Sequence, residues 1–346
     1  MLANYQLSPA QLERLRTILS YRRPHGTVTE RRFTYDNVAT LPGAWEDYHG
    51  NIHVEVGVNN RVLFSCHTDT VHYTGGRQTV ILDRGYLRRR MRANDCLGAD
   101  DGVGVFLMLE MIDAGVPGYY IFHTAEEVGA LGSKALARSS EDVLRTFDYA
   151  IAFDRRGTKD VITHQYRGRT ASDAFATSLA AMLNRAGLEY APSNRGIFTD
   201  TASYSDIIAE CTNVSVGYYN EHTSNECVDV AHVGALLGAL LAFDVNALVC
   251  DRIPGEDDTP IKPTKVTRLD RAPESDLDYT HERIVDIRSD GERTDKDSVA
   301  ELGVNPRIID GMCSLCEWPS YACHCTAEDV EFWRYMNGYT YKRTGE

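Results

Sequence analysis

The chain has 346 residues, 43% of them apolar and 25% charged, with a formal charge of −14; that is enough for one large domain with additions or for two domains. The acidity argues against a nucleic-acid phosphate partner, and no run reaches the ~18 apolar residues that cross a bilayer. The opening Met1-Leu2-Ala3-Asn4-Tyr5 lacks a basic flank followed by an apolar core, so no secretory signal is expected; nine cysteines without an early, regular framework fit a reducing, cytoplasmic setting.

In chain order, Ser8-Pro9 starts a helix that runs to about Tyr21, with Leu12, Leu15, Ile18 and Leu19 at helical spacing. Asn51 to Val58 and Arg61 to Ser65 read as strands on either side of a hairpin-like turn at Asn59-Asn60. Gln78 to Leu82 and Tyr86 to Arg90 read as a hairpin across Asp83-Arg84-Gly85. Strand and helix then alternate. Helices are expected over Val103 to Met111, Ser133 to Ala137, Ala171 to Ala186 and Ala231 to Leu248. Strands are expected over Tyr119 to Thr124, Tyr149 to Phe153, Val161 to Gln165 and Thr212 to Gly217. This pattern predicts an α/β fold with a mixed, mostly parallel central sheet and helices on both faces, functional residues gathering at the carboxyl ends of the strands. Asp251 to Ala300 is polar, with few branched apolar residues, and reads as a linker. The organisation expected is therefore a catalytic unit over 1–250, a linker over 251–300 and a small Cys-rich extension over 301–346.

Five polar clusters end or follow predicted strands. In Ser65-Cys66-His67-Thr68-Asp69, a histidine can ligate a metal through one ring nitrogen while a carboxylate two residues on orients the other. In Leu97-Gly98-Ala99-Asp100-Asp101-Gly102, one carboxylate held at a tight turn can bridge two cations while its neighbour shapes the turn. In Ala125-Glu126-Glu127-Val128-Gly129, one glutamate can ligate and the other act as base. Asp154 closes the fourth cluster, and His222 lies in the fifth, Glu221-His222-Thr223-Ser224-Asn225-Glu226. Two histidines and three carboxylates without cysteine are a zinc-compatible donor set that suits a catalytic site.

In this order, HTDTV, LGADDGVGV, EEVGALGS, a strand-terminal Asp and EHTSNE, the series over about Arg61 to Val249 resembles the co-catalytic zinc exopeptidases. That superfamily comprises aminopeptidases, tripeptidases, carboxypeptidases and N-deacylases with a phosphorylase/hydrolase-like α/β fold. The resemblance implies two zinc ions, one held by His67, Asp100 and Asp154 and the other by Asp100, Glu127 and His222. It makes Glu126 the general base and Asp69 the carboxylate behind His67, and it carries the family's cis peptide onto Asp100-Asp101. The implied reaction is amide hydrolysis by a zinc-activated water, with a peptide or small amide as substrate.

Only 68 positions separate Asp154 from His222, too few for the elements expected there plus an inserted lid domain of at least ~50 residues. That favours the aminopeptidase branch over a carboxypeptidase or an N-deacylase/amidase, although EHTSNE and Thr199-Asp200-Thr201 resemble tripeptidases as well. A non-catalytic binding module is the reading of a different class, and the complete donor set together with Glu126 speaks against it. In the tail, Cys313, Cys316, Cys323 and Cys325, or three of these with His324, could make a structural zinc knuckle; surface or buried thiols and a redox pair are the other readings. His72 and His123 read as core or surface histidines, Arg88-Arg89-Arg90 as an exposed strand face, and Tyr218 and Tyr219 as packing residues.

Overall fold

The computed structural model describes residues 5–58, 60–90, 95–165, 168–256, 308–309 and 312–313. Most of the expected linker, and Cys316, Cys323, His324 and Cys325 of the tail, lie outside the described residues. Cys313 falls in a short antiparallel pair of Ile308–Ile309 with Met312–Cys313, which leaves the knuckle untested.

The frame is an eight-stranded sheet built from β1 (Trp45–Glu46), β2 (Ile52–Val56), β3 (Val62–His67), β4 (Gly118–His123), β5 (Tyr149–Arg155), β6 (Asp160–Ile162), β7 (Ala191–Ser193) and β8 (Glu210–Ser215). Their spatial order is β7-β6-β8-β5-β3-β4-β2-β1. The central run β8-β5-β3-β4 is parallel, and antiparallel partners join at β6 and β2. This is the mixed, mostly parallel sheet expected from the sequence. Central strands buried on both faces need apolar side chains in both directions, and the alternation is visible. Val62, Phe64 and Cys66 point into one core with Tyr120, Phe122, Ile151 and Phe153, while Leu63, Ile121 and Ala150 point into the other.

The larger core packs under α1 (Pro9–Leu19), α2 (Val28–Thr34) and α3 (Ala99–Asp113). α4 (Leu131–Ser139) and α5 (Glu141–Leu144) cover the opposite face, and α6 (Asp173–Asn184) and α7 (Val230–Leu240) complete the first. α1 starts where expected because Ser8 and Gln11 close a capping box, each side chain bonding the other's backbone N–H at 3.2 and 2.9 Å. α3 is apolar on nearly every side, as a helix must be when it is buried all round. Gly104 lets it lie against β5, since a Cβ there would stand 2.4 Å from the Phe153 carbonyl oxygen.

Three local expectations are corrected. β2 and β3 are not a hairpin: β4 lies between them, pairing antiparallel with β2 and parallel with β3. The strand expected over Val161 to Gln165 breaks at Thr163, whose N–H and hydroxyl both donate to the Ser193 carbonyl. The last helix stops at Leu240 rather than Leu248, because the chain turns and Asp244 caps a separate short 3-10 segment, Val245–Ala247. The hairpin of Val80–Asp83 with Tyr86–Arg89 forms as expected and continues through Cys227–Asp229 into a second small sheet. Among the described residues no helix is long and apolar enough to cross a membrane.

Candidate active site

The carboxyl ends of β4, β5 and β8 open onto one cavity, and that of β3 lies behind it. It has a volume of about 260 Å³ and carries Asp100, Glu126, Glu127, Asp154 and His222 in its wall. His67 is the last residue of β3 and is buried. Asp154 sits at the end of β5, and Glu126 and Glu127 follow β4 through Ala125, which takes a left-handed backbone (φ 61°). His222 reaches the site from the loop after β8, also with φ 62°; such conformations cost free energy in residues other than glycine and collect at functional sites. Asp100 enters from the other side, at the start of α3. There Gly98 (φ 75°) reverses the chain and Asp100 and Asp101 depart from helical geometry, joined by the expected cis peptide.

The two oxygens of Asp100 face in different directions. Oδ1 lies 3.1 Å from Nε2 of His67, and Oδ2 lies 3.1 Å from Nε2 of His222. Asp154 Oδ1 stands 3.7 Å from the same His67 nitrogen, and Glu127 Oε1 stands 3.2 Å from the His222 nitrogen. Two triads therefore share one carboxylate, His67/Asp100/Asp154 and His222/Asp100/Glu127. The five residues singled out as ligands from the sequence all converge here. His67, Asp100 and Glu127 also bring donor atoms within 4.8 Å of one another, so the triads adjoin.

The electrostatics fit cations at this place. Acids crowd the site, and both histidines are drawn upward: His222 to about 11 by hydrogen bonds to Asp100 and Glu127, and His67 well above its usual value by Asp100, Asp154 and Asp69 against the cost of burial. Asp100, which faces both rings, is held low despite its burial. Acids with less cationic company go the other way: burial and the neighbouring carboxylates push Asp154 up to about 6 and Glu126 up to about 9. Protons on the imidazoles stand where a stronger positive charge would serve more carboxylates at once, and the donor chemistry of oxygen and imidazole nitrogen suits zinc.

The supporting layer explains the remaining sequence assignments and adds residues the sequence did not reveal. Asp69 is fully buried. Its Oδ1 lies 3.5 Å from His67 Nδ1, with its own carbonyl closer at 3.1 Å, and its two oxygens accept the N–H groups of Glu126 (3.0 Å) and Glu127 (3.1 Å). Asp69 thus orients the His67 ring, chiefly through its carbonyl, while its carboxylate places the Glu126-Glu127 turn. Asp101 accepts the N–H groups of His67 (3.1 Å) and Gly104 (3.0 Å), which is how it shapes the turn. Asp154 is held by Thr199 Oγ1 at 2.6 Å on Oδ2 and by Asn213 on its backbone. Tyr218 donates to Asp154 rather than serving only as packing. Glu226, within the quoted EHTSNE stretch, is 3% exposed and accepts four backbone N–H groups from Leu97 to Asp100; burial, with Asp100 beside it, pushes it up to about 7. His72 and His123 are buried, and their ring nitrogens bond other residues than the five: His72 meets Thr70 Oγ1 at 2.7 Å, and His123, beside His67 in the sheet, has its ring between Asn51 and Tyr204. His72 with Asp95 and Cys96 forms a further group of close donor atoms, but burial and the guanidinium of Arg23 oppose positive charge there.

Comparison with known proteins agrees with this arrangement. The family model for peptidase family M28 matches residues 50–225, half of the chain, and that span contains all five residues of the two triads. Among solved structures, the aminopeptidase PepT from Bacillus cereus aligns at 15% identity and a TM-score of 0.53, covering 67% of this chain and 98% of its own. A tripeptidase from Staphylococcus aureus aligns at 14% identity and 0.54, over 67% and 96%. The dodecameric PhTET1-12s aligns at 18% and 0.52, over 69% and 100%. At such identities the likeness establishes the fold. No curated protein matches the chain.

Proposed function

The chain belongs to peptidase family M28, and on that premise we propose that it is a two-zinc aminopeptidase that removes residues from the free N-terminus of short peptides, with Glu126 as general base. The observation that carries the reading is the Asp100 carboxylate, with one oxygen 3.1 Å from each of two histidines that have separate carboxylate partners. His67, Asp100 and Asp154 would hold one ion, and His222, Asp100 and Glu127 the other. Zinc ions so held supply Lewis acidity, polarising a carbonyl and lowering the pKa of water.

The chain's own residues do the rest. Glu126 lines the cavity and is not one of the five ligands, so its carboxylate is available to take a proton from water and return it to the departing amine. Burial raises it, with Asp154, Asp200 and Asp100 adding to the effect. Positive charge on Asp100 and Asp154 relieves part of that shift and brings Glu126 back toward the range in which it accepts and releases protons near neutrality. Asp69 fixes the base by holding the Glu126 backbone N–H, and so its place relative to His67.

The cavity wall favours an amine end over a carboxylate end. Its arginines are already partnered, Arg156 with Glu221 at 2.5 Å and Arg155 with Asp160 at 3.2 Å. Glu126, Glu127, Asp154 and Glu221 leave the wall rich in acid, which suits an α-ammonium, and Ile162, Ile197 and Phe198 offer apolar contact to a side chain. At about 260 Å³ the space is near the lower end of the ~300–1,000 Å³ of small-ligand sites and fits the end of a peptide. Between Asp154 and His222 the chain builds β6, α6, β7 and β8 of the one sheet, which supports a catalytic unit over 1–250 without an inserted lid.

The test is a substrate panel with the zinc-loaded protein: leucine p-nitroanilide, its N-acetylated form, and N-acetyl amino acids. Hydrolysis is expected only where the amine is free. Equal turnover of the N-acetylated anilide, or turnover of N-acetyl amino acids alone, would overturn the aminopeptidase assignment.

A further inference from the structure

The matched family segment ends at residue 225, and two residues that bond the backbone at the start of α3 lie outside it, at positions 23 and 226. Glu226 Oε2 accepts the N–H groups of Leu97 (2.6 Å) and Gly98 (3.0 Å), and Oε1 accepts those of Ala99 (2.8 Å) and Asp100 (3.1 Å). Four consecutive peptide N–H groups thus converge on one carboxylate. The N–H groups at the start of a helix have no partner within the helix, and the non-helical dihedrals of Asp100 and Asp101 leave this segment without a regular hydrogen-bond ladder. On the other side, the guanidinium of Arg23 is wholly buried. It donates from Nε to the Thr68 carbonyl (2.7 Å), from Nη1 to the Ile18 carbonyl (3.0 Å) and from Nη2 to the Gly98 carbonyl (3.5 Å), and it packs over Phe33. Thr68 is the residue between His67 and Asp69.

We infer that Glu226 and Arg23 are positioning residues for the metal site: an anion that gathers the N–H groups of residues 97–100 and a cation that gathers the carbonyls of Thr68 and Gly98 together set the direction of the shared Asp100 carboxylate relative to His67. Each peptide plane from Leu97 to Asp100 is pinned, so Asp100 keeps only its side-chain torsions free. Glu226 also lies four residues after His222, so one short loop carries a ligand of the second triad at one end and the anchor of the shared ligand at the other. The role toward cations rests on the two-zinc reading above, and the grip on the backbone does not. Residues supporting a metal ligand from behind commonly change affinity by ~10–100-fold when altered.

Glu226→Gln places an NH2 group against two of the four N–H groups it now accepts. Glu210 supplies a matched control, because it is an equally buried carboxylate that accepts N–H groups from Ser172, Asp251 and Arg252, and its partners include none of the site residues. Zn2+ binding to the full chain is measured by competition with a chelator, and amide hydrogen exchange is followed in the metal-free protein, for wild type, Glu226→Gln and Glu210→Gln. Glu226→Gln is expected to weaken Zn2+ binding about 10–100-fold and to speed exchange at residues 97–100, whereas Glu210→Gln leaves Zn2+ binding unchanged and speeds exchange at 172 and 251–252. Arg23→Lys is expected to weaken Zn2+ binding in the same direction, and it serves as the second variant should Glu226→Gln not fold. Wild-type affinity in both Glu226→Gln and Arg23→Lys, or equal weakening in Glu210→Gln, overturns the proposal. A wild type that binds no Zn2+ removes the two-zinc reading and the positioning role with it; in that case unchanged exchange at 97–100 in Glu226→Gln refutes the backbone grip as well, and faster exchange there leaves the failure with the zinc reading alone.

Discussion

Replacing Asp100 by alanine tests the shared carboxylate most directly. Structural zinc with four protein ligands is bound with roughly 10–16 kcal/mol, so one ligand is worth about 3–4 kcal/mol, or about 10²–10³ in affinity. Asp100 presents one oxygen to each histidine at 3.1 Å, so on the two-zinc reading its loss would take one protein ligand from each of two ions. On the same reading His222→Ala would remove a ligand from one ion, and Asp154→Ala would remove one from the other. Equilibrium dialysis against a chelator that leaves the wild type saturated, followed by elemental analysis, should find two zinc ions in the wild type. The same measurement should find one in His222→Ala, one in Asp154→Ala and none in Asp100→Ala. Circular dichroism checks that each variant is folded. An Asp100→Ala protein that keeps one tightly bound zinc would refute the bridge, because a carboxylate serving a single ion cannot cost both.

Further outcomes follow from the same geometry. Glu126→Gln should bind zinc as the wild type does and lose about 10²–10⁴ in kcat; steady-state kinetics on leucine p-nitroanilide that showed less than a threefold loss would remove Glu126 from the role of base. Zinc at 100 times its Kd should stabilise the fold by about 2.7 kcal/mol, read as a rise of several degrees in thermal midpoint that a chelator reverses; no change on chelation would mean that the clustered acids need no cation. His232, buried with its Nε2 2.8 Å from the Tyr190 hydroxyl, is pushed down to about 4 by burial. The unfolded chain therefore takes up a proton that the folded one refuses. The contribution of His232 to stability is complete above its unfolded value of about 6.5 and is lost toward pH 4, at about 1.4 kcal/mol per pH unit. Urea unfolding from pH 7 to 4.5 should show a shallower decline for His232→Phe, and parallel declines would contradict this. Gly104→Ala should destabilise by about 1–3 kcal/mol through overpacking against β5, and an unchanged urea midpoint would show that α3 can move away.

The residues that converge at the site were legible in the sequence because each sits in a local pattern: an apolar strand followed at once by a polar cluster, with the side chain's own chemistry in view. The fold class was legible for a similar reason, since the alternation of strand and helix is carried by neighbouring residues. What escaped depends on residues far apart in the chain. Apolar runs such as Val54 and Phe64 state that a strand is buried, not which strand lies beside it, so the insertion of β4 between β2 and β3 was invisible. Nothing around Arg23 in the sequence marks it as buried, since the carbonyls of Thr68 and Gly98 that it bonds come from distant stretches of chain. Glu226 stands in the EHTSNE stretch with nothing in the sequence to show its task, because its partners are backbone N–H groups, which any residues provide. Its signal, an acid immediately before the strand Cys227–Asp229, is faint. Asp244, which ends the last helix early, carried a readable cap signal that the apolar Ala242-Phe243 run obscured.

The two triads are mounted on different footings. The His67 side chain ends a central strand and is 1% exposed, whereas that of His222 rides on a surface loop and is 47% exposed. Local opening of a loop costs far less free energy than opening a central strand, so on the two-zinc reading departure of an ion from the His222 triad would require only a small fluctuation, whereas departure from the His67 triad would require the end of a central strand to give way. The expected consequence is a difference in residence time: one ion retained through purification as a fixture of the protein, its neighbour exchanging with the surrounding pool. Isotopic exchange of zinc would then be biphasic, and at limiting zinc the enzyme would behave as a population of half-loaded molecules, its output metered by the free concentration of the ion.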